Sequence, residues 1–453
     1  MAQISEITIK ELGLDSRLDA EYYQPFYLHS ISAVESTKGA PLSSLGKFII
    51  GPFGSTVKIE DYVDHSNSRY IRGKDVKNFF INDSDNAYIP DEKFSKLKQF
   101  HIKVSDLLIT VVGTLGNVSV VTPDVGNAIF SCKSTIFRPN GISPGYLCVY
   151  LNTKYGQGLL IRNERGAVQT GFNLKDLENI LVPNFGSDFE KKINSAYFEA
   201  HELRQKSKSL YAQAEKLLLQ ELGLENFTPE WVAGYETDFD NILEVARMDA
   251  EYFQPRYEIV KDKIRAVDHD TLGNLVKPLK KGIEVGSEAY TDEGIPFLRV
   301  SNIEKLRIDN SSEQYISREL YEELKDKFCP KKGEILLSKD GTPGIAYFLT
   351  EEIQTIISGG IVRLKSLEVE PEYLTLVLNS LIVQAQIEQD AGGALIKHWR
   401  PDQIKTTLIP ILPKEVRAKI VKMVQESFSA LHESRQLLEQ AKREVEEMIE
   451  SKA

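Results

Sequence analysis

Apolar or small residues recur at Ile193, Tyr197, Ala200, Leu203, Ser207, Leu210, Ala214 and Leu217, in steps of three or four with charged residues between them. This spacing predicts one buried seam along a helix from Ser187 to Leu222, about 54 Å long at a rise of about 1.5 Å per residue. Ser187-Asp188-Phe189-Glu190 has the form of a capping box, in which the Ser and Glu side chains each bond the other's amide. Gly223 supplies the left-handed residue that ends the helix. A single seam needs a partner. Val416, Ile420, Val424, Ser427, Ala430, Ser434, Leu437, Ala441, Val445 and Met448 keep nearly the same spacing, without a gap, at an offset of 227 residues (Ile193 against Ile420). The two stretches predict the halves of one antiparallel coiled coil.

The offset extends to nearly the whole chain, and a long-period repeat governs every other reading. Leu18-Asp19-Ala20-Glu21-Tyr22-Tyr23-Gln24-Pro25 returns as Met248-Asp249-Ala250-Glu251-Tyr252-Phe253-Gln254-Pro255. Tyr70-Ile71-Arg72 returns as Phe297-Leu298-Arg299, and Asp106-Leu107-Leu108-Ile109-Thr110 with Gly113 and Gly116 returns as Glu334-Ile335-Leu336-Leu337-Ser338 with Gly341 and Gly344. Gly145-Tyr146-Leu147 matches Glu372-Tyr373-Leu374, and Ile180-Leu181-Val182-Pro183 matches Thr407-Leu408-Ile409-Pro410. Each half reads as one globular domain followed by one long helix. The expected boundaries are 1–186 for the first domain, 187–223 for the central helix, 224–245 for a linker, 246–412 for the second domain and 413–453 for the last helix.

Within each domain the pattern shortens. Phe48-Ile49-Ile50, Tyr70-Ile71-Arg72, Leu107 to Val112, Val118 to Val121 and Thr135-Ile136-Phe137 are brief β-rich runs divided by Gly, Asn, Asp and Pro, and the second copy repeats their order. Tyr146 to Leu159 and Tyr373 to Gln389 read as helices, and Pro25 opens a helix running toward Ser36. The expected fold is α+β: two duplicated domains with small, antiparallel or mixed sheets, separated by two long antiparallel coiled-coil helices.

Composition changes this picture little: 42% hydrophobic and 27% charged residues describe an ordinary soluble protein of two to three domains. No 18-residue apolar window or leader-like start occurs, which predicts a cytoplasmic protein without membrane contact. Cys132, Cys148 and Cys329 fit neither a disulfide framework nor a metal site. A net charge of −11 argues against nucleic-acid binding by the chain as a whole, though Lys93, Lys96, Lys98, His101 and Lys103 cluster, as do Lys277, Lys280 and Lys281. No constellation for methyl transfer, zinc chemistry or a serine nucleophile is present, and Glu323-Leu324-Lys325 is too short a match to a nuclease metal motif to stand above chance. No catalytic residue, metal or cofactor is expected. Two pairs of glycine loops remain as places for function: Gly51 to Ser55 with Gly282 to Ser287, and Gly166 to Asn173 with Gly392 to Arg400. A duplicated scaffold whose coiled coil joins two protein- or glycan-binding modules fits the acidic charge.

The duplicated boxes in this order, the glycines after each Asp/Glu-Leu/Ile-Leu run, the Gly166 to Asp176 segment and the Val-Pro or Ile-Pro before each helix resemble the specificity subunits of type I restriction-modification enzymes. The second copy departs where Asn173-Leu174-Lys175-Asp176 becomes Arg400-Pro401-Asp402-Gln403. The resemblance implies a protein without chemistry of its own. It would read a split sequence in double-stranded DNA, one half with each domain, and carry two methyltransferase subunits and, through the complex, restriction subunits. DNA contacts are then expected where the copies differ in polar character: Ser55, Arg72, Lys74, Gln169 and Thr170 in the first domain, and Ser287, Arg299, Asn302, Lys339, Lys397, His398 and Arg400 in the second. Arg72 and Arg299, shared by both copies, have a second reading as fold anchors paired to a carboxylate such as Asp75.

Overall fold

A computed structural model describes residues 4–7, 17–166, 170–228, 230–309, 314–391 and 397–453. The chain divides into two units: one of residues 1–204 together with 432–453, the other of residues 205–431. Gln169, and most of the Gly392 to Arg400 loop before Lys397, lie outside the described residues.

Each unit repeats one β plan. In the first, a four-stranded antiparallel sheet runs Gly46–Ile50, Ser134–Pro139, Leu107–Thr110, Val118–Val120, and beside it Arg69–Ile71 pairs antiparallel with Ala87–Tyr88 and parallel with Ala128–Phe130. In the second, the order is Val276–Lys281, Ile361–Ser366, Ile335–Ser338, Ala346–Phe348, and Ile295–Leu298 pairs parallel with Ile356–Ile357. The expected small mixed sheets are therefore present in both copies. Ion pairs to a buried carboxylate recur at corresponding places: Arg138 Nε lies 2.7 Å from Asp106 Oδ1, and Arg363 Nη1 3.2 Å from Glu334 Oε2.

The helices expected at 146–159 and 373–389 are each broken in two, as Pro144–Leu151 with Lys154–Ile161 and Pro371–Asn379 with Leu381–Asp390. The cause is a tertiary bond at the break. Asn152 Nδ2 donates to Val118 O at 3.1 Å, and its counterpart Asn379 donates to Ala346 O at 2.8 Å. Thr153 then turns to extended backbone and caps the next helix by accepting the Gly156 N–H at 3.1 Å. Pro25–Ser36 and Pro255–Arg265 begin at the prolines of the two boxes, as expected from a proline in the first turn.

Ser187–Glu221 and Lys414–Glu450 are the long helices. In the first unit Ile193, Tyr197 and Ala200 share a core with Leu438, Ala441, Val445 and Ile449, and Ser434 Oγ donates to Ala200 O at 2.6 Å. Lys192 Nζ reaches Glu444 Oε2 at 2.7 Å, so the two segments run antiparallel. In the second unit Tyr211, Ala214 and Leu218 share a core with Ile420 and Val424, and Ser427 Oγ donates to Ser207 O at 2.8 Å. Small residues permit these close backbone approaches. The buried seam differs by one position at Tyr211, Leu218, Leu438 and Ile449, which are buried in place of the more exposed Leu210, Leu217, Leu437 and Met448.

The start of the first long helix corrects the capping-box expectation. Gly186 O, not Ser187, receives the Glu190 N–H at 3.2 Å, so the helix starts one residue earlier than the box requires. Gly223 behaves as expected: with φ +62° it ends the helix, and the Gly223 N–H to Gln220 O and Leu224 N–H to Leu219 O bonds close the turn.

Candidate nucleic-acid interface

In the first unit the glycine loops meet at one place. A Cβ on Gly51 would stand 2.7 Å from Ser131 O, and one on Gly73 2.7 Å from Lys133 Cβ, so both loops rest against the Ser131–Lys133 turn. Val111 N–H donates to Lys133 O at 2.8 Å, and Phe172 N–H to Val111 O at 3.0 Å, bringing the segment after Thr110 and the Gly171 segment to the same turn. Ser55 is exposed, and Thr170 O accepts the Gly113 N–H at 3.4 Å.

Arg72 faces inward. Its Nε and Nη2 each bond Asp75 at 2.9 Å, and Nη2 also bonds Asp85 O. Asp75 is 3% exposed, which makes this a fork bonded to a buried carboxylate. Lys74 remains at the surface, 2.6 Å from Asp85 Oδ2. The Lys74 hydrogen bond, with the Arg72 charge, holds the Asp85 carboxyl below the usual carboxylate range.

The second unit gathers its loops in the same way. A Cβ on Gly282 would stand 2.1 Å from Ile357 O, and Lys339 N–H donates to Gly360 O at 2.8 Å. Asp340 pairs with His398 and Gly341 with Lys397 in a short antiparallel ladder, and Trp399 N–H donates to Lys339 O at 2.8 Å. Trp399 is 1% exposed and pins this loop, leaving Lys397, His398 and Arg400 at the surface. The Asp340 carboxylate takes hydrogen bonds from the Lys339 ammonium and from His398 Nδ1, the latter at 2.8 Å. Burial raises the Asp340 pKa, but these two donors outweigh it and hold the group below its usual range. Arg400 lies 3.2 Å from Asp402, both exposed. Ser287 is exposed as well.

Arg299 and Asn302 sit differently from these surface groups. Asn302, 1% exposed, accepts the Arg299 N–H at 2.9 Å and donates to Asp309 O at 2.9 Å, holding the turn that Asp75 holds in the first unit. The departure at Arg400 to Gln403 leaves the fold unchanged, since a short helix begins at Leu174 in one copy and at Pro401 in the other. Its anchors differ: Arg165 bonds Asp176 at 3.1 and 3.0 Å, whereas Gln403 donates to Asp390 O at 2.8 Å. Sequence reading missed Asp85 and Asp340, the carboxylates that orient the candidate cations, and Lys133 at the meeting point of the loops. None belongs to a repeated box. Among the described residues no cluster of three His, Cys, Asp or Glu side chains could hold a metal, and no helix is long and apolar enough to cross a membrane.

No family model matches the chain. It is 26% identical over 121 residues to the EcoBI type I restriction enzyme specificity subunit of Escherichia coli, covering 26% of this chain and 23% of that protein. It is 28% identical over 190 residues to a protein of Haemophilus influenzae named as a type I restriction enzyme specificity subunit, covering 40% of this chain and 46% of that one. The matches thus span less than half the length of either relative. Among solved structures, the S subunit of a type I restriction-modification system from M. genitalium is 14% identical, with a TM-score of 0.40 over 91% of this chain and 94% of that one. The HsdS subunit of Thermoanaerobacter tengcongensis is 16% identical, with a TM-score of 0.28 over 91% and 95%. Two curated relatives from different bacteria bear out the resemblance drawn from the repeated boxes: in sequence, this chain is similar to the specificity subunits of type I restriction enzymes.

Proposed function

We propose that the chain is the non-catalytic, sequence-specific DNA-binding subunit of a type I restriction-modification complex, working in the cytoplasm. Residues 1–186 and 246–412 each read one half of a bipartite duplex target, residues 187–223 and 413–453 form the helical spacer, and 224–245 link the copies. Two methyltransferase subunits bind each chain, and restriction subunits join through the complex. The observation that carries this reading is that both units bring corresponding loops together while presenting different polar groups there: Ser55, Lys74 and Thr170 in one, Ser287, Lys397, His398 and Arg400 in the other. A shared frame with varied surface chemistry suits two modules reading different bases. Arg400 and Lys397 offer contacts to guanine or phosphate, whereas Arg72, Arg299 and Asn302 serve chiefly to hold the loops.

The test is duplex binding by the protein co-purified with its methyltransferase partner. Affinity should fall steeply as salt rises, because cations released from phosphates drive such binding. Arg400→Ala should weaken recognition of one half-site by ~1–3 kcal/mol and leave the other's base preference unchanged. Salt-independent binding, or altered preference at both half-sites, would overturn the reading.

A further inference from the structure

The two Tyr-Tyr/Phe-Gln-Pro boxes have matching frames and, among the described residues, unequal occupancy. Arg17 Nε bonds Asp19 at 2.9 Å and Arg247 Nε bonds Asp249 at 2.8 Å. Each guanidinium also lies over the box tyrosine, 4.3 Å from the Tyr22 centroid and 4.5 Å from that of Tyr252. The following aromatic pairs are edge-on in both, and Gln24 and Gln254 hold nearly equal backbone angles immediately before their helices.

What the glutamines do differs. In the second unit Gln254, 1% exposed, accepts the Val232 N–H and donates to Val232 O, both at 3.0 Å. Its amide thereby grips the main chain of one residue, as a strand neighbour would, whatever that residue's side chain. Arg256 stands over the Trp231 ring at 5.4 Å, and Tyr235 OH bonds Ala250 O, fastening the segment on either side. In the first unit Gln24 is exposed and borders an open groove of about 850 Å³ that Arg17, Asp19, Tyr27, Arg162 and Glu164 also line. Tyr257 is buried at 3%, but its counterpart Tyr27 remains partly open to the groove. Where Arg256 meets Trp231, this unit has Phe26, 47% exposed.

We propose that the Gln24 groove is a docking site for an extended segment of a partner polypeptide, held by its main chain as Val232 is held by Gln254. An aromatic residue precedes the gripped residue and packs on Phe26. The chain's own Trp231-Val232 is the template for such a ligand. This assignment is independent of the DNA-reading proposal, because it rests on the inequality of two copies of one box.

The probe is a capped, fluorophore-tagged peptide with the sequence of Thr228 to Glu236, titrated into the full-length chain and followed by anisotropy. Saturable binding is expected, weakened at least about fivefold by Gln24→Ala, since two hydrogen bonds are lost. Methylating the peptide's Val232 nitrogen should weaken it similarly, while Val232→Ala within the peptide should not. Gln254→Ala in the protein should leave binding through Gln24 intact. Gln24 is exposed, so its replacement leaves the core in place. Absence of saturable binding, whether the groove is closed or filled by the chain's own residues, overturns the proposal, as does equal binding to Gln24→Ala.

Discussion

Arg72 and Arg400 carry the same charge in opposite surroundings. Removing Arg72 leaves the buried Asp75 carboxylate without its fork, so Arg72→Ala should cost the first unit about 3 kcal/mol in chemical denaturation. Arg400→Ala should change stability by no more than about 0.5 kcal/mol, because its partner Asp402 is equally exposed. Asp124 gives a pH dependence. Burial raises its pKa, but hydrogen bonds from His201, 3.0 Å away, and Thr122 prevail and hold the carboxyl far below its usual value. A carboxyl depressed in the folded state contributes stability above its unfolded value of about 3.9 and loses that contribution as pH falls through the folded value. The melting temperature should therefore decline below about pH 4, and Asp124→Asn should flatten that decline. From the sequence, the inward role of Arg72 was readable because both copies keep it beside an Asp or Asn three residues on. The His201–Asp124 pair was not, since 77 residues separate its members (201 − 124) and neither lies in a repeated box.

At the scale of elements, periodicity located the long helices and the main strands of each sheet, but missed helices such as Arg318–Phe328 and Phe239–Val245, the latter inside the expected linker, and what tertiary bonds impose. Tyr146 to Leu159 has helical spacing throughout, yet the Asn152 bond to Val118 diverts the chain between two turns of that pattern. Gly156 is the residue that permits the break: a Cβ there would lie 2.2 Å from Tyr150 O. Gly156→Ala should destabilise the first unit by about 1–3 kcal/mol, as overpacking does, read as a lowered denaturation midpoint. The one-position shift of the seam has a similar origin. Leu210 and Leu217 are apolar by sequence, but Tyr211 is drawn inward because Asn379 Nδ2 donates to its hydroxyl at 3.1 Å, and Leu218 follows it into the core. The capping box failed because the helix starts one residue earlier than it requires: Gly186 O already receives the Glu190 N–H.

For the whole molecule, the duplication is the most legible feature, because it repeats order and spacing over more than two hundred residues. The division of the chain into units was less so. The first unit's core requires Leu438, Ala441, Val445 and Ile449, which follow the entire second unit in the chain. Deleting residues 432–453 should abolish the first unit's cooperative transition in hydrogen exchange while the second unit keeps its protection.

The same arrangement sets a timetable for synthesis. Residues 205–431 are continuous, so the second unit holds all its parts as soon as its last residue emerges from the ribosome. The first unit, though made earlier, waits for its missing piece while about 230 further residues are translated, roughly ten to fifty seconds at typical elongation rates. Throughout that interval Ile193, Tyr197 and Ala200 lack the helix that covers them. Nascent chains stalled before residue 432 should thus recruit chaperones that the completed protein releases, and the half of the protein made first is the half finished last.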